Sequence, residues 1–517
     1  MSQALSKTFR ICFTSDTHGH FFPVDYATGA PHATGLFACC ASFEKDENTL
    51  VIDAGDTLQG SPFAAYVQQQ WAEGAVQGSP MAQALNYAGC DYIVPGNHDF
   101  NFGSEYLASY INNTHAACLC ANLAWEGPAP AFAPTAVHTL GNGLRVGLVG
   151  VVTDHVNVWE KPAHLQGLTV SDPFPAAQAA LDSLRGRVDV TVCVYHGGFE
   201  CDLDTDQPLT HSTEHVGSRI ARALDFDLLL TGHQHRPIEG RALHGTYVVQ
   251  PAANAVHYIE VTGTVCPHQG KATFASRFVQ PAQIGSENLP APLQALEAAT
   301  QQWLDMPVGH LARPLPVFDK VAMVLQGAPV ADLFNQVQLA ATGAQISCAA
   351  LSNVLPGFET AVSMRHILAN YPYSDPVHTL QITGAQLKEA LERTASYLDI
   401  DSTGQPVVSP RFLQPKVEHY NYDYFAGLTY LAELHNPVGQ RIMSLAHNGQ
   451  PIQPTDSFTI CMVAYRATGT GGYDVYCQCP NLGHTQATMG ELLAQYIAAT
   501  PYNAVQVPTY PPPTFIF

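Results

Sequence analysis

Six times in the first 235 residues, a short run of Val, Ile, Leu and Phe ends at a polar group: FRICFTSDTH, TLVIDAGD, DYIVPGNHD, RVGLVGVVTD, VTVCVYHGG and FDLLLTGHQH. Nothing else in the chain constrains the fold as much. Apolar runs without polar alternation read as strands buried on both faces, and such strands belong to parallel sheets covered by helices. Helix-like stretches between some of the runs complete an α/β layered domain that extends to about residue 285. In an open sheet of this kind the C-terminal strand ends face one crevice, so the polar residues after the runs are expected to converge.

At 517 residues the chain exceeds one ordinary core, and the texture changes near Asn288. LPAPLQALEAATQQWLDMPVG has apolar residues at helical spacing and stops at Pro-Val-Gly, so residues 286–316 are expected to be a linker built on a helix. The domains are then 1–285 and 317–517. In the second, VHTLQITGAQLKEALERTASYL places Thr-Gly between a strand and a helix, and PTYPPPTFIF reads as an extended tail on the surface. The net charge of −21, from 43 acidic and 22 basic residues, argues against a nucleic-acid polymer as partner. It leaves room for a small anion held by metal. The N-terminus, MSQALSKTFRICFTSD, has no signal-like apolar stretch, and no run approaches the ~18 apolar residues of a membrane span. The thirteen cysteines are odd in number and lack zinc-ribbon spacing. Reduced, mostly buried thiols and a cytoplasmic location are the expectation, with no membrane partner.

Taken singly, Asp16 and Asp56 are ordinary turn formers or caps, and His18 is an ordinary histidine. Together, Asp16-x-His18, Asp56, Asn97-His98, His196 and His233-x-His235 form one set at strand ends. Two carboxylates, one amide and several imidazoles suit Mn, Fe, Co, Ni or Zn rather than Ca. The set is too large for one ion, whereas two ions sharing a carboxylate would use it, with Asp56 the natural bridge. Such ions lie roughly 3.5–4 Å apart, generate hydroxide near neutral pH and stabilise attacking and leaving oxygens. Against the two carboxylates they leave roughly +2, enough to attract phosphate into an acidic protein.

This order of motifs (D-x-H, G-D, G-N-H-[DE], H-G, G-H-x-H) resembles the calcineurin-like metallophosphoesterases. The whole chain resembles the two-domain 5'-nucleotidase family within that group. VIDAGDTLQGSPFAAYV around Asp56, YPYSDPVHTLQITGAQLKEALE (371–392) and VAYRATGTGGYDVY (463–476) carry the likeness. The resemblance implies an N-terminal β-sandwich flanked by helices and a C-terminal α+β domain. It implies that Asp16, His18, Asp56, Asn97, His196, His233 and His235 bind two divalent ions, with Mn, Zn, Fe and Co all suitable. His98 is then left to meet the phosphate or protonate the leaving oxygen, with Asn97 and Asn101 as its catalytic companions.

Asn101 narrows the likeness further. In GNHDFNFG it occupies the position where 5'-nucleotidases of the family usually carry an Asp, and this is similar to the 2',3'-cyclic-nucleotide 2'-phosphodiesterase/3'-nucleotidase branch. An Asn can orient the His98 ring but brings no negative charge to an imidazolium. YNYDYFAGLTY (420–430) and AYRATGTGG (464–472) resemble the segments of that branch whose aromatic residues sandwich the base, roles that fall by position to Tyr422 and Tyr465. Thr470-Gly471-Gly472 lacks the ribose-binding Asp usual in 5'-nucleotidases. LSNVLPGFETAV lacks their Asn-Gly-Gly-x-Arg arrangement, leaving Asn353 part of a substrate-binding role, and Arg365 reads as a solvated helix residue. Asp375-Pro376 replaces the common Asn-Thr. The function implied is hydrolysis of a small-molecule nucleotide by in-line attack of metal-held hydroxide, opening 2',3'-cyclic nucleotides and then removing the 3'-phosphate. A 5'-nucleotidase or nucleotide-sugar hydrolase is the alternative, and a non-catalytic nucleotide binder the remote one.

Overall fold

The apolar runs of the N-terminal half pair in parallel. In the computed structural model, Lys7–Thr14, Thr49–Asp53, Tyr92–Ile93 and Ala117–Cys118 form one parallel series. Arg145–Val152, Val190–His196, Leu228–Thr231 and Thr246–Gln250 form a second. The structure describes residues 6–126, 132–209, 212–266, 271–285, 289–373, 375–414, 417–499 and 504–517. Among these, antiparallel strands extend each series to a six-stranded sheet: Tyr258–Val265 and Thr273–Val279 on the first, Ile238–Leu243 and Thr135–Thr139 at the edges of the second.

Period-2 alternation explains why the runs are apolar throughout. Val146 and Leu148, Val192 and Val194, and Leu228 and Leu230 point into a core shared with Phe9, Ile11, Phe13, Leu50 and Ile52 of the other sheet. The intervening Val149, Val151, Cys193, Tyr195 and Leu229 face the opposite way, into a second core with residues of the helices Pro173–Leu184 and Gly217–Ala223. Both faces are buried, so no polar alternation survives.

Contacts divide the chain into Met1–Gln301 and Gln302–Phe517, a division that falls within the helix Ala291–Leu304. In the second unit Asp423–Ala426, Ile346–Ala350, Ser457–Val463, Pro376–Thr383 and Asn481–Thr488 form a mixed sheet. The helices Pro329–Thr342 and Met489–Ala498 cover one face of it, and Gly384–Ala395 covers the other. The Thr-Gly boundary is where the sequence puts it. Thr383 caps the helix through Gln386 N–H, and the Gln386 side chain returns a bond to Thr383 N–H. The C-terminal residues differ from expectation. Rather than a tail on the surface, Thr514–Ile516 adds a parallel edge strand to Thr429–Glu433, giving the exposed backbone groups of that edge a partner. The thirteen cysteines are free and ten are buried. Among the described residues, no helix is long and apolar enough to cross a membrane.

Candidate metal centre

Several of the parallel strands run into turns that present these side chains. Asp16, His18, Asp56, His233 and His235 all have left-handed backbone, with φ of 55, 50, 56, 70 and 54°. Such conformations are uncommon outside glycine and cluster where surrounding structure enforces a functional geometry. The adjoining glycines let the turns approach. A Cβ on Gly96 would sit 2.2 Å from Asp56 Oδ1 and 2.6 Å from His196 Cε1, and one on Gly232 would sit 2.7 Å from Asp16 Oδ2. Asp99, the last residue of the G-N-H-D motif, ties two of the turns together. Its carboxylate accepts from the backbone N–H groups of Asp56, Thr57, Leu58 and Gly96 at 2.8–3.0 Å. Burial and the nearby Asp56 nonetheless raise its pKa to about 6.

Three groups of ligand atoms result among the described residues: Asp16, His18 and His235 in the first, Asp56, His196 and His233 in the second, and Glu214, His215 and the same His233 in the third. In the first, His18 Nε2 lies 3.0 Å from His235 Nε2, and His235 Nε2 lies 3.3 Å from Asp16 Oδ1. In the second, His196 Nε2 lies 3.3 Å from Asp56 Oδ2 and 3.1 Å from Asn97 Oδ1. Asp56 Oδ2 is also 4.0 Å from His18 Nε2, which puts this carboxylate between these two groups.

The donors fit divalent cations on three counts. Asp56 Oδ2 is buried without a hydrogen-bond partner. The far ring nitrogens are already engaged, as they are in metal-binding histidines. His18 Nδ1 meets the Gln59 carbonyl at 2.8 Å, His196 Nδ1 meets the Ala54 carbonyl at 2.6 Å, and His233 Nε2 meets Glu214 Oε1 at 2.9 Å. Protonation supplies the third. Burial lowers the His18 pKa to about 3 and also lowers that of His233, keeping lone pairs available. Burial opposes charge on His196 as well, but the Asp56 and Asp16 carboxylates outweigh it and raise its pKa to about 10. A cation held there would displace that proton and take over its positive charge among the carboxylates.

The catalytic candidates lie beside this set. The His98 ring centroid is 5.3 Å from that of His18, and its backbone N–H donates to Asp56 Oδ1 at 2.7 Å. His98 Nδ1 meets Asn101 Oδ1 at 2.8 Å. Sequence reasoning missed what stands behind these residues. Asn101 Nδ2 donates to Glu160 Oε1, and the other oxygen of Glu160 meets His164 Nδ1 at 2.8 Å. Trp159 stacks on His233 at 5.5 Å. Burial disfavours charge on Glu214, but His233 and His215 bring its carboxyl down to about 2. Glu160 and Glu214 follow no strand run and carry no motif.

The residues expected around the base lie in the second unit, with two corrections. Tyr422 is 2% exposed and packs in a core with Val324, Tyr397, Leu398, Phe412 and Leu434, so it has no face to offer a base. Tyr465 is 38% exposed, and the ring 6.3 Å from it is that of Tyr420. Asn353 braces the chain ahead of Tyr420: its Nδ2 donates to the Val417 carbonyl and its Oδ1 accepts from His419 N–H, at 2.7 and 2.9 Å. Arg365 is not solvated, since it is buried and ion-paired with Asp305 at 2.6 Å.

Fold and site together define a metal-dependent phosphoric ester hydrolase. Residues 9–237 match the family model of the calcineurin-like phosphoesterases, and residues 307–478 match that of the 5'-nucleotidase C-terminal domain. The chain thus carries a calcineurin-like phosphoesterase domain followed by a 5'-nucleotidase C-terminal domain. It is 25% identical to a 2',3'-cyclic-nucleotide 2'-phosphodiesterase/3'-nucleotidase of Haemophilus influenzae, over 95% of this chain and 84% of that one. It is also 25% identical to the Salmonella typhimurium protein of the same name, over 90% and 82%. Among solved structures it matches a candidate 5'-nucleotidase of Staphylococcus aureus with a TM-score of 0.89 and 29% identity, covering 98% of this chain and all of that one.

Proposed function

We infer that this protein hydrolyses nucleotide phosphoesters, opening 2',3'-cyclic nucleotides and then releasing phosphate from the 3'-nucleotide. One observation carries the reading: the triads Asp16/His18/His235 and Asp56/His196/His233 meet at neighbouring strand ends with His98 beside them. Asp16, His18, Asp56, Asn97, His196, His233 and His235 would hold two divalent ions of the Mn, Zn, Fe or Co kind, which would supply positive charge to the phosphoryl oxygens and lower the pKa of a water. Asn97 directs its side-chain oxygen toward His196, leaving its amide N–H groups to orient a phosphoryl oxygen. With its Nδ1–H donated to Asn101 Oδ1, His98 has Nε2 facing the site, and a proton taken up there from solvent, giving the imidazolium, can pass to the departing ribose oxygen. Tyr465, with Tyr420 near it, supplies a stacking platform for the base.

Asn101 and the names of the Haemophilus and Salmonella relatives support the cyclic and 3' substrates. The Staphylococcus match favours a 5'-nucleotidase as the second reading. Steady-state kcat/KM with Mn²⁺ for 2',3'-cyclic AMP, 3'-AMP, 5'-AMP and bis-p-nitrophenyl phosphate separates the two. The highest values are expected for the cyclic and 3' substrates, and a preference for 5'-AMP would replace the first reading by the second. Tyr465→Ala is expected to raise KM for the preferred nucleotide roughly five- to 150-fold, the equivalent of 1–3 kcal/mol for a stacked base. The same change should leave bis-p-nitrophenyl phosphate unaffected, and equal loss on both substrates would exclude a stacking role.

A further inference from the structure

Asn101 by itself does not determine what it does to His98. A primary amide has a donor end and an acceptor end of nearly the same shape, and half a turn of the side chain exchanges them. If Oδ1 faces His98, the ring must carry its proton on Nδ1 and keep Nε2 for the site. If Nδ2 faces it, Nδ1 must be the bare nitrogen, and a neutral ring then carries its proton on Nε2. Glu160 breaks this symmetry. Its Oε1 accepts from Asn101 Nδ2, which leaves Asn101 Oδ1 as the end that faces His98.

The surroundings hold Glu160 in place. Its side chain is 6% exposed, and its second oxygen is taken by His164 Nδ1 at 2.8 Å. Its backbone N–H closes the short helix Val156–Trp159, whose last residue stacks on His233. The segment that carries Glu160 is therefore fixed against the same site it serves.

We propose that Glu160 is a positioning residue that acts through Asn101 to set the tautomer and orientation of His98. The pair does in two hydrogen bonds what a directly bonded carboxylate would do in one. This rests on the proposed role of His98 toward the leaving oxygen.

The test uses E160A, E160Q, N101D and the double variant N101D/E160A in the full chain with Mn²⁺. Each is assayed on the wild type's preferred nucleotide, whose leaving group is an alkoxide, and on bis-p-nitrophenyl phosphate, whose leaving group needs no proton. E160A is expected to lower kcat on the nucleotide roughly 10- to 100-fold, the usual effect of removing an outer hydrogen-bond partner at a metal site. KM should stay unchanged, as should kcat on the nitrophenyl ester to within about threefold. E160Q keeps an acceptor oxygen and should recover most of the loss. N101D alone sets two carboxylates against each other and should be impaired, whereas N101D/E160A places one carboxylate directly on His98 and should regain activity.

An independent readout is the ¹⁵N–¹H spectrum of histidine-labelled protein, with His98 assigned by its absence in H98A. Wild type should show the Nδ1–H tautomer and E160A a mixture. An unchanged tautomer in E160A, an equal kcat loss on both substrates, or no recovery in the double variant would overturn the proposal. Failure of the His98 reading is distinct, because H98A itself would then lose both substrates equally while the spectrum still reports on Glu160.

Discussion

Asp56→Asn is expected to reduce kcat/KM on the order of a thousandfold while leaving the fold largely intact. The catalytic loss follows from the position of Asp56, whose Oδ2 lies 3.3 Å from His196 Nε2 and 4.0 Å from His18 Nε2 and so stands between the two ligand groups. Removing that charge weakens both at once, and charge stabilisation at such sites is worth several kcal/mol, each 1.4 kcal/mol being about tenfold. The fold is kept because an amide oxygen can still accept from His98 N–H, as Asp56 Oδ1 does at 2.7 Å. Some stability is lost in the metal-free protein, because burial opposes the Asp56 charge but His196 and His98 outweigh it and hold the carboxyl well below its usual range. Calorimetry with and without Mn²⁺ checks both halves: wild type should gain thermal stability from the ion, and the variant should gain much less. Retained turnover together with full metal stabilisation would remove Asp56 from the bridging role.

Arg466→Met should destabilise the second unit by about 3–5 kcal/mol, the cost of leaving a buried charge without its partner. Arg466 and Asp423 are 2% and 1% exposed and meet at 3.0 Å. The same guanidinium donates to the carbonyls of Thr470 and Tyr420 at 2.5 and 2.8 Å and lies over the Tyr473 ring at 4.1 Å. It thereby ties the glycine-rich loop to the chain that carries Tyr420, while Arg393 holds the Gly471 carbonyl from another side. For a unit of about 200 residues the loss corresponds to a Tm lower by roughly 10 °C in its calorimetric transition. Asp423→Asn combined with Arg466→Met should recover part of it, since removing both charges leaves neither unpaired. A Tm within about 2 °C of wild type in the single variant would show that the pair contributes little.

Arg466 also marks where sequence reading reached its limit. AYRATGTGG was read for its Tyr and its glycines, yet the most constrained side chain in it is the arginine between them. Nothing local distinguishes a solvated Arg from one buried against an Asp 43 residues away. Tyr422 departs from expectation for a related reason. The single 3₁₀ turn His419–Asn421 precedes the strand Asp423–Ala426 and breaks the alternation by which a side chain's face could be counted. Tyr422 therefore turns into the core, and Tyr420 is the one left near Tyr465.

What the amino-acid order determined by itself was the scaffold and the inner donor set. Uninterrupted apolar runs require strands buried on both faces, and the residues just past such runs must meet wherever the parallel strand ends meet. Asp16, His18, Asp56, Asn97, His98, His196, His233 and His235 follow from that local pattern as one cluster, although His18 and His235 are 217 positions apart. Only the tertiary structure decided the outer contacts: Glu214 on His233, Glu160 behind Asn101, and Asp423 on Arg466. Each joins a loop or helix end to a residue 19–59 positions away with no repeating pattern between them. A hydrogen bond or ion pair across such a gap depends on how separate elements pack, and neither partner's neighbouring sequence records it.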